Sequence, residues 1–549
     1  MFKSISPRLS KLIQSGNFDV LLGTRMGLEK ESLRVSKDGG IAQTPHPKKW
    51  GSALTHSWLT TDYSEALPEF ITPPCADAGE ALDFLADMQA YAYRNLEKEI
   101  LWATSMPCIL AGEESIPIAM YGNSNQGLMK HVYRLGLGYR YGKMMQVIAG
   151  VHFNWSLPDN FWPIYKKILD DKKQIREFRD DFYMGLIRNM LRTGWLIPYL
   201  FGASPAVCKS FFGETGTSLP IFDDFTHYEP YATSLRMGDI GYQNSKEEGL
   251  GIHACYDNVN SYSDFLIEAI STPTEIWRKI GIKVDGKYRQ LNANILQIEN
   301  EYYSSVRPKQ ELNGLESPAL ALKRRGIQYI ELRSLDVNAY HPLGVDELQL
   351  RFLENWMLAC LLAESPPLTK KEQSALNSNL LDVAHRGREP SLKLNKDGKD
   401  VFLKEWGQQI LDSMLPLAGA LDRLHGHNDY EDALDEQFNK ILQPDLTPSA
   451  RMLNEMRKNG ESFYEFSSRL SNQHHIFFNQ RDMSQKQKKR FDELVQKSFH
   501  DQKVIEKQPK EDFDNFLKNY FLKIKKNLKI KFKIYIFRNF VCVHTIVGK

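Results

Sequence analysis

The sequence predicts an α+β protein built on a mainly antiparallel sheet, with a polar concave face and helices backing the other face. Three observations carry that expectation. The stretches Gly27–Val35, Ile148–Pro158 and Gly326–Asp336 read as strands with one packing face and one face carrying Glu, His, Asn or Arg. None is the continuous Val/Ile/Leu run of a parallel strand covered on both sides. Beyond Gly344 the pattern turns mostly helical.

Composition narrows the field. A length of 549 residues permits several domains, and 42% hydrophobic with 25% charged residues is ordinary for a soluble globular chain. A formal net charge of +2 gives no electrostatic reason to expect nucleic acid as a partner. Met1 to Gly23 lacks an unbroken apolar segment, so no secretory signal is expected. No stretch approaches the roughly 18 apolar residues of a membrane helix. Cys75, Cys108, Cys208, Cys255, Cys360 and Cys542 are far apart and form no C-x-x-C. That spacing argues against a zinc cluster and for reduced thiols in a cytoplasmic protein, serving as small core hydrophobes.

Taken in order, residues 1–17 are expected to form a short amphipathic helix, with Ile5, Leu9, Leu12 and Ile13 at helical spacing. As one strand, Gly27–Val35 puts Glu29, Glu31, Leu33 and Val35 on one face. Two neighbouring carboxylates repel unless a cation sits between them. The plain alternative is a solvated strand face. Residues 60–70 add Asp62, Glu65 and Glu69 among apolar neighbours. Hard divalent cations take carboxylate oxygens and substrate phosphates, so these acids point to a multi-Mg²⁺, nucleotide-using site. Residues 76–96 read as a core-covering helix, with acids early and Arg94 late. Residues 121–127 are rich in turn formers and lead to Lys130, Tyr133 and Arg134. The glycines of 136–142 lack dinucleotide-fingerprint spacing and there is no P-loop, so any ATP binds outside one.

In Ile148–Pro158, His152, Asn154 and Ser156 share one face and Val151, Phe153, Trp155 and Leu157 the other. The imidazole is a possible metal ligand or a satisfied structural histidine. Residues 159–199 are expected to be one long helical run broken near Pro198, and 231–242 a loop-like segment. Residues 290–300 are expected to form a strand with Gln290, Asn292 and Asn294 on one face. Tyr303, Arg307 and Lys309 follow; a solvated loop is the favoured reading of the two cations. In Gly326–Asp336, Glu331 and Arg333 share a face with Ile327, Tyr329 and Leu335. An acid and a guanidinium in an apolar strand are costly to bury unless they pair or do work. Thr447-Pro448 is a good helix start. From the 480s on the chain is charged and expected at the surface, and 521–549 alternates Lys and Arg with apolar residues with no acid to balance them.

Together the motifs of Gly27–Val35, Thr60–Leu67, Gly150–Asn154, Tyr231–Arg236, Ile298–Glu301 and Tyr329–Asp336 resemble the bacterial type 1 glutamate–cysteine ligase family. The resemblance runs from about Gly27 through the helix after Asp346 and weakens beyond. It implies ligation of the γ-carboxyl of L-glutamate to the amine of L-cysteine, the first step of glutathione synthesis. ATP would be the co-substrate and Mg²⁺, or Mn²⁺, the cofactor. It also implies a fold like the glutamine synthetase catalytic domain, a bent antiparallel sheet forming a funnel. One domain would cover 1–520, with the sheet-bearing core at about 20–365, a helical part at about 366–520, and a basic tail of no assigned role over 521–549. By resemblance, Glu29, Glu31, Asp62, Glu69, His152 and Glu331 would hold metal. Arg333 and Arg236 would face the transferred phosphoryl group and the glutamyl substrate, with Asn154 also on the substrate side. Asp62 is the candidate to take the proton of the cysteine amine. Tyr133, Tyr242 and Leu137 would form the cysteine site, and Tyr303 and Arg307 would lie near the nucleotide. The expected partners are small-molecule substrates, with no nucleic acid and no membrane, for a cytoplasmic monomer. Tyr63 stands where the family often has Phe and adds a hydroxyl near the acceptor pocket. The alternative is a related carboxylate–amine ligase with another acceptor amine.

Overall fold

The computed structural model describes residues 5–213, 216–241, 254–509 and 511–524. The first helix, α1 (Ile5–Gln14), buries Ile5, Leu9 and Leu12 and leaves Ile13 exposed. Strand β1 (Arg25–Glu31) carries the two acids, but it stops at Glu31. Arg34–Ser36 belongs to a separate ribbon with Glu99–Leu101, so Leu33 and Val35 do not continue the acidic face. The buried Arg34 explains the turn. Its guanidinium donates to Glu99 at 2.5 Å, to Thr44 Oγ1 at 2.7 Å and to the Glu65 carbonyl at 2.9 Å, partners that lie off the line of β1.

Next come β2 (Leu59–Thr61), β3 (Pro68–Ile71) and α2 (Ala78–Arg94), the last started by Asp77, whose carboxylate accepts from Glu80 N. Helix α3 (Asn125–Tyr141) absorbs the glycine-containing stretch before Gly142, with Ser124 accepting from Gly127 N as its cap. Strand β4 (Val151–Ser156) follows the expected alternation. The helical run after it is three helices: Phe161–Ile168, α4 (Ile175–Thr193) and Leu196–Phe201. The breaks fall before Ile175 and at Gly194. Pro198 sits in the first turn of the last helix, where its missing N–H costs nothing.

No strand forms over 290–300. The amides expected on a strand face bond to nearby backbone instead: Gln290 to the Trp277 carbonyl at 2.7 Å, Asn292 to Gln297 O at 2.9 Å, Asn294 to Ile270 O at 2.6 Å. By contrast β5 (Val306–Lys309) is a strand, not a solvated loop. Its Pro308 is tolerated because β5 lies at the sheet edge. Then follow α5 (Pro318–Arg325), β6 (Tyr329–Leu335), α6 (Glu347–Leu362) and α7 (Lys370–Arg386). A hairpin of Lys393–Lys396 and Lys399–Phe402 interrupts the helical remainder, and Thr447 caps Pro448–Asn459 as expected. Helix α8 (Gln485–Lys507) is mostly exposed but buries Phe491 and Ser498, and α9 spans 513–524. The expected tail therefore begins inside α9, and its remainder lies outside the described residues.

The sheet has the order β5-β6-β4-β1-β3-β2, with every pairing antiparallel. Leu28, Phe153, Trp155, Ile330 and Leu332 are buried on its packed face. Helix α2 packs on β1, and α6, buried from Gln349 to Leu362, packs on α4. One apolar cluster runs from Ile5 to Ile524. Cys108 and Cys208 are joined by a disulfide with Cα atoms 5.3 Å apart, against the expectation of unpaired thiols. The fold brings together residues 100 positions apart, a proximity their spacing did not reveal. Cys75, Cys255 and Cys360 are free, and Cys542 lies outside the described residues. Among the described residues no helix is long and apolar enough to cross a membrane.

Candidate active site

A cavity of about 450 Å³ lies over the polar face of the sheet, walled by α3 and by residues 298–318. Register decides which acids meet there. Glu29 on β1 is paired with His152 on β4, and Glu29 Oε2 lies 3.1 Å from His152 Nδ1. Glu331, on the next strand, completes a group in which one ligand atom from each of Glu29, His152 and Glu331 lies within 4.8 Å of the others. Two positions along β1, Glu31 stands directly opposite Glu69 on β3. Asp62, just past β2, also lines the cavity, its carboxylate 3.6 Å from Arg134.

The cations come from the other side of the sheet. Glu331 is held between Lys309 on β5, at 3.0 Å, and Arg333, at 3.1 Å. Arg236 arrives on a short turn, Leu235–Met237, capped by Ser234. Its guanidinium donates to the Arg333 carbonyl at 2.9 Å and lies 3.7 Å from Asp336. That approach requires glycine at position 150: a Cβ there would sit 2.1 Å from Arg236 Nη2. The Gly150 N–H also donates to Glu31 at 2.7 Å, so one residue serves both the acidic and the basic half.

Ionisation follows from this layout. Burial, and then the Asp62 charge, push the Glu31 carboxyl up to about 8, against the pull of Arg236 and Arg333. Burial and the charges of Glu29, Asp62 and Glu31 hold the Glu69 carboxyl well above the usual range. For Glu331 burial acts the same way, but Lys309 and Arg333 overcome it and keep the group ionised. Glu29 is also lowered, burial being outweighed by its bond to His152 and the field of Lys309. Burial and the Arg333 charge lower His152, which favours a neutral imidazole with a free lone pair. A crowd of carboxylate oxygens with one imidazole, two of the acids driven toward protonation by their neighbours, fits a hard divalent cation such as Mg²⁺ or Mn²⁺.

The expected site residues are mostly gathered here. Glu29, Glu31, Asp62, Glu69, His152, Glu331, Arg236, Arg333, Tyr133, Leu137, Tyr303 and Arg307 all line the one cavity. Asn154 does not: its amide donates to Glu29 Oε1 at 2.9 Å and steadies that carboxylate from the side. Tyr242 lies outside the described residues. Lys309 was visible in sequence but read as solvated, because Pro308 masked the strand. Gln146, Lys130 and Tyr520 also line the cavity. Nothing local signalled Tyr520, which α9 delivers from far along the chain.

A sequence profile of the glutamate–cysteine ligase family matches residues 9–383. The chain belongs to that family. A glutamate–cysteine ligase of Pseudomonas paraeruginosa is 46% identical over 516 residues, covering 94% of this chain and 97% of that protein. One from Alcanivorax borkumensis is 43% identical over 528 residues, covering 94% and 99%. The crystal structure of the Francisella tularensis glutamate–cysteine ligase in complex with AMP superposes with a TM-score of 0.85 at 34% identity, covering 92% of this chain and 98% of that one. The sheet, its register and the charged cavity are thus those of a ligase-family chain, and the α+β antiparallel architecture read from the sequence holds.

The Gly150 contact gives a direct test. Gly150→Ala should leave the protein folded, with an unchanged circular dichroism spectrum, while displacing Arg236. A displacement near 1 Å at a positioning group costs on the order of 100-fold in rate, so kcat/KM for the acid substrate should fall by about that factor. Full activity in a folded Gly150→Ala protein would show that the close approach does not matter.

Proposed function

We propose that the protein joins the γ-carboxyl of L-glutamate to the amine of L-cysteine at the expense of ATP, giving γ-glutamylcysteine, ADP and inorganic phosphate. The observation that carries this reading is one cavity holding two kinds of machinery. It has a carboxylate–imidazole floor suited to divalent cations and, a strand away, Arg333, Lys309, Arg307 and Arg236.

Glu29, His152 and Glu331 would hold one Mg²⁺ or Mn²⁺, and Glu31, Glu69 and Asp62 would hold others. When bound, such ions neutralise phosphate charge. The side chains do the rest. Arg236, fixed through the Arg333 carbonyl, binds the glutamyl substrate. A γ-carboxylate oxygen then attacks the terminal phosphorus of ATP, and ADP leaves. Arg333 and Lys309 stabilise the negative charge on the phosphoryl oxygens as it passes, which is positioning and electrostatics more than covalent chemistry. The product is γ-glutamyl phosphate. The cysteine amine, as free base, attacks its carbonyl carbon, and phosphate departs carrying the former carboxylate oxygen. Asp62, whose carboxylate lies 3.6 Å from Arg134, would take the amine proton through its oxygen not engaged by metal. Tyr63, Tyr133 and Leu137 wall the acceptor side and keep water from the acyl phosphate.

The alternative acceptor reading rests on Tyr63. Its hydroxyl is buried beside Gly138 with no hydrogen-bond partner, so Tyr63 alters the acceptor wall through its packing. Phosphate release from ATP with L-glutamate and Mg²⁺, compared across cysteine, 2-aminobutyrate, alanine and no amine, separates the two. Release driven most strongly by cysteine, with the dipeptide found by mass, is the expected result. Strongest release with another amine would move the assignment to that acceptor, and none with any amine would sink the ligase reading.

The high proton affinity of Glu31 makes a second prediction. A protonated carboxyl must lose its proton to ligate a cation, so Mg²⁺ binding near pH 7 should release protons. Apparent affinity should rise with pH and level off above about 8. Calorimetry in buffers of different ionisation enthalpy reads this release directly. A proton count of zero at pH 7 would place both Glu31 and Glu69 outside the metal set.

A further inference from the structure

Arg236 occupies the centre of a segment, residues 229–241, that is otherwise irregular, and what holds that segment is the C-terminal end of α7. Thr233 N and Ser234 N donate to the Ala384 carbonyl at 2.9 and 3.2 Å, and Thr233 Oγ1 donates to Val383 O at 2.8 Å. The last turn of α7 also supplies His385, whose ring bridges the two ends of the segment. Its Nδ1 lies 2.7 Å from Glu229 Oε2, and its Nε2 lies 3.1 Å from Asp239 Oδ1. The ring lies flush against Gly238, where a Cβ would be 2.6 Å from Nε2.

We infer that His385 is a positioning residue for the ligation reaction: by tying Glu229 and Asp239 together it fixes the arc between them and so aims Arg236 into the cavity. The inference rests on the reading of Arg236 as the glutamyl-binding group. Nδ1 donates to the Glu229 carboxylate, and Nε2 accepts from the Asp239 backbone N–H at 3.2 Å, so the ring holds both ends of the arc. The end of a helix, with its unpaired carbonyls, is where a cation is favoured. Other charges near the ring are already engaged. Arg388 donates to the Pro230 and Ala232 carbonyls at 2.8 and 3.1 Å, and Arg386 is paired with Glu389 at 2.7 Å and lies 3.9 Å from Asp382. On the hairpin strand that also packs on α7, Lys393 lies over the Phe402 ring and Lys396 donates to Gln409. Burial works against a charge on His385, but its bond to Glu229 and the charges of Glu229 and Asp239 outweigh it, and the imidazole titrates above its ordinary range. A group raised in this way contributes fully at low pH and loses its contribution as pH climbs through the raised value. On deprotonation the charge contact with the Asp239 carboxylate is lost while the bonds to Glu229 and from Asp239 N remain, so the clamp weakens on the alkaline side.

The test is steady-state kinetics of the full-length protein from pH 6.5 to 9 for the wild type, His385→Gln, Asp239→Asn and Arg236→Lys. At pH 7, His385→Gln should raise KM for glutamate about ten-fold, leaving kcat within about two-fold and KM for ATP unchanged. Asp239 is 64% exposed, so its substitution leaves the fold alone, and Asp239→Asn should raise the same KM by about three-fold. The wild-type KM for glutamate should climb toward that of His385→Gln at the alkaline end of the range. A wild-type glutamate KM and pH profile in folded His385→Gln overturns the clamp. If that variant fails to fold, an unchanged KM at every pH in Asp239→Asn does so. Arg236→Lys separates the two layers. An unaltered glutamate KM there sinks the role of Arg236 itself, whereas a raised one beside two unaffected clamp variants sinks only the role of His385.

Discussion

Carboxylates that face one another inside a protein repel, and the rest of this molecule is arranged around one such confrontation. The β1–β3 register sets Glu31 directly against Glu69, with Glu29 two positions away on the same face. Left to themselves Glu31 and Glu69 take up protons. The sheet answers on one side only: Lys309 and Arg333 flank Glu331 and keep that end ionised. The Glu31–Glu69 end has no lysine or arginine in ion-pair contact among the described residues, and both carboxyls are driven toward protonation. The polarity of the site, basic at β5 and β6 and acidic at β1 and β3, thus follows from strand order.

Holding such a site open demands a stiff frame. The packed face of the same strands supplies it, with Leu28, Phe153 and Ile330 buried behind Glu29, His152 and Glu331. The alternation that makes a strand half-polar is therefore what ties the site to the core: Glu29, His152, Glu331 and Arg333 each have a buried apolar neighbour in sequence. Gly150 shows how little slack remains, since one added carbon would collide with Arg236. Arg236 is anchored twice, by the Arg333 carbonyl and by the segment that α7 brackets, so a helix remote in sequence helps to set the geometry of the cavity.

How much of this was legible depended on whether a residue's neighbours in space were also its neighbours in sequence. Strands β1, β4 and β6 announced themselves by alternation, and with them Glu29, His152, Glu331 and Arg333. Glu31 was part of the same alternation and Glu69 of the acidic stretch after it, and the motif resemblance gave Arg236 and Tyr133 their roles; the structure brings all four to the cavity wall. Strand β5 was hidden by Pro308, a residue that argues against a strand until its edge position is known. The amides of residues 290–300 imitated a strand pattern while bonding to local backbone. The end of β1 at Glu31 is decided by the buried partners of Arg34, the Cys108–Cys208 bond by a contact across 100 positions, and Tyr520 by the docking of α9. None of these is encoded in a local pattern.

The central claim is that the cavity makes a γ-glutamyl phosphate, and oxygen transfer tests it most directly. L-Glutamate labelled with ¹⁸O in its γ-carboxylate would be turned over with ATP, Mg²⁺ and L-cysteine, and the released phosphate examined by mass. One labelled oxygen per phosphate is the result predicted, because the attacking carboxylate oxygen leaves with the phosphoryl group. Phosphate free of label, with dipeptide still formed, would contradict an acyl phosphate and require another route for ATP.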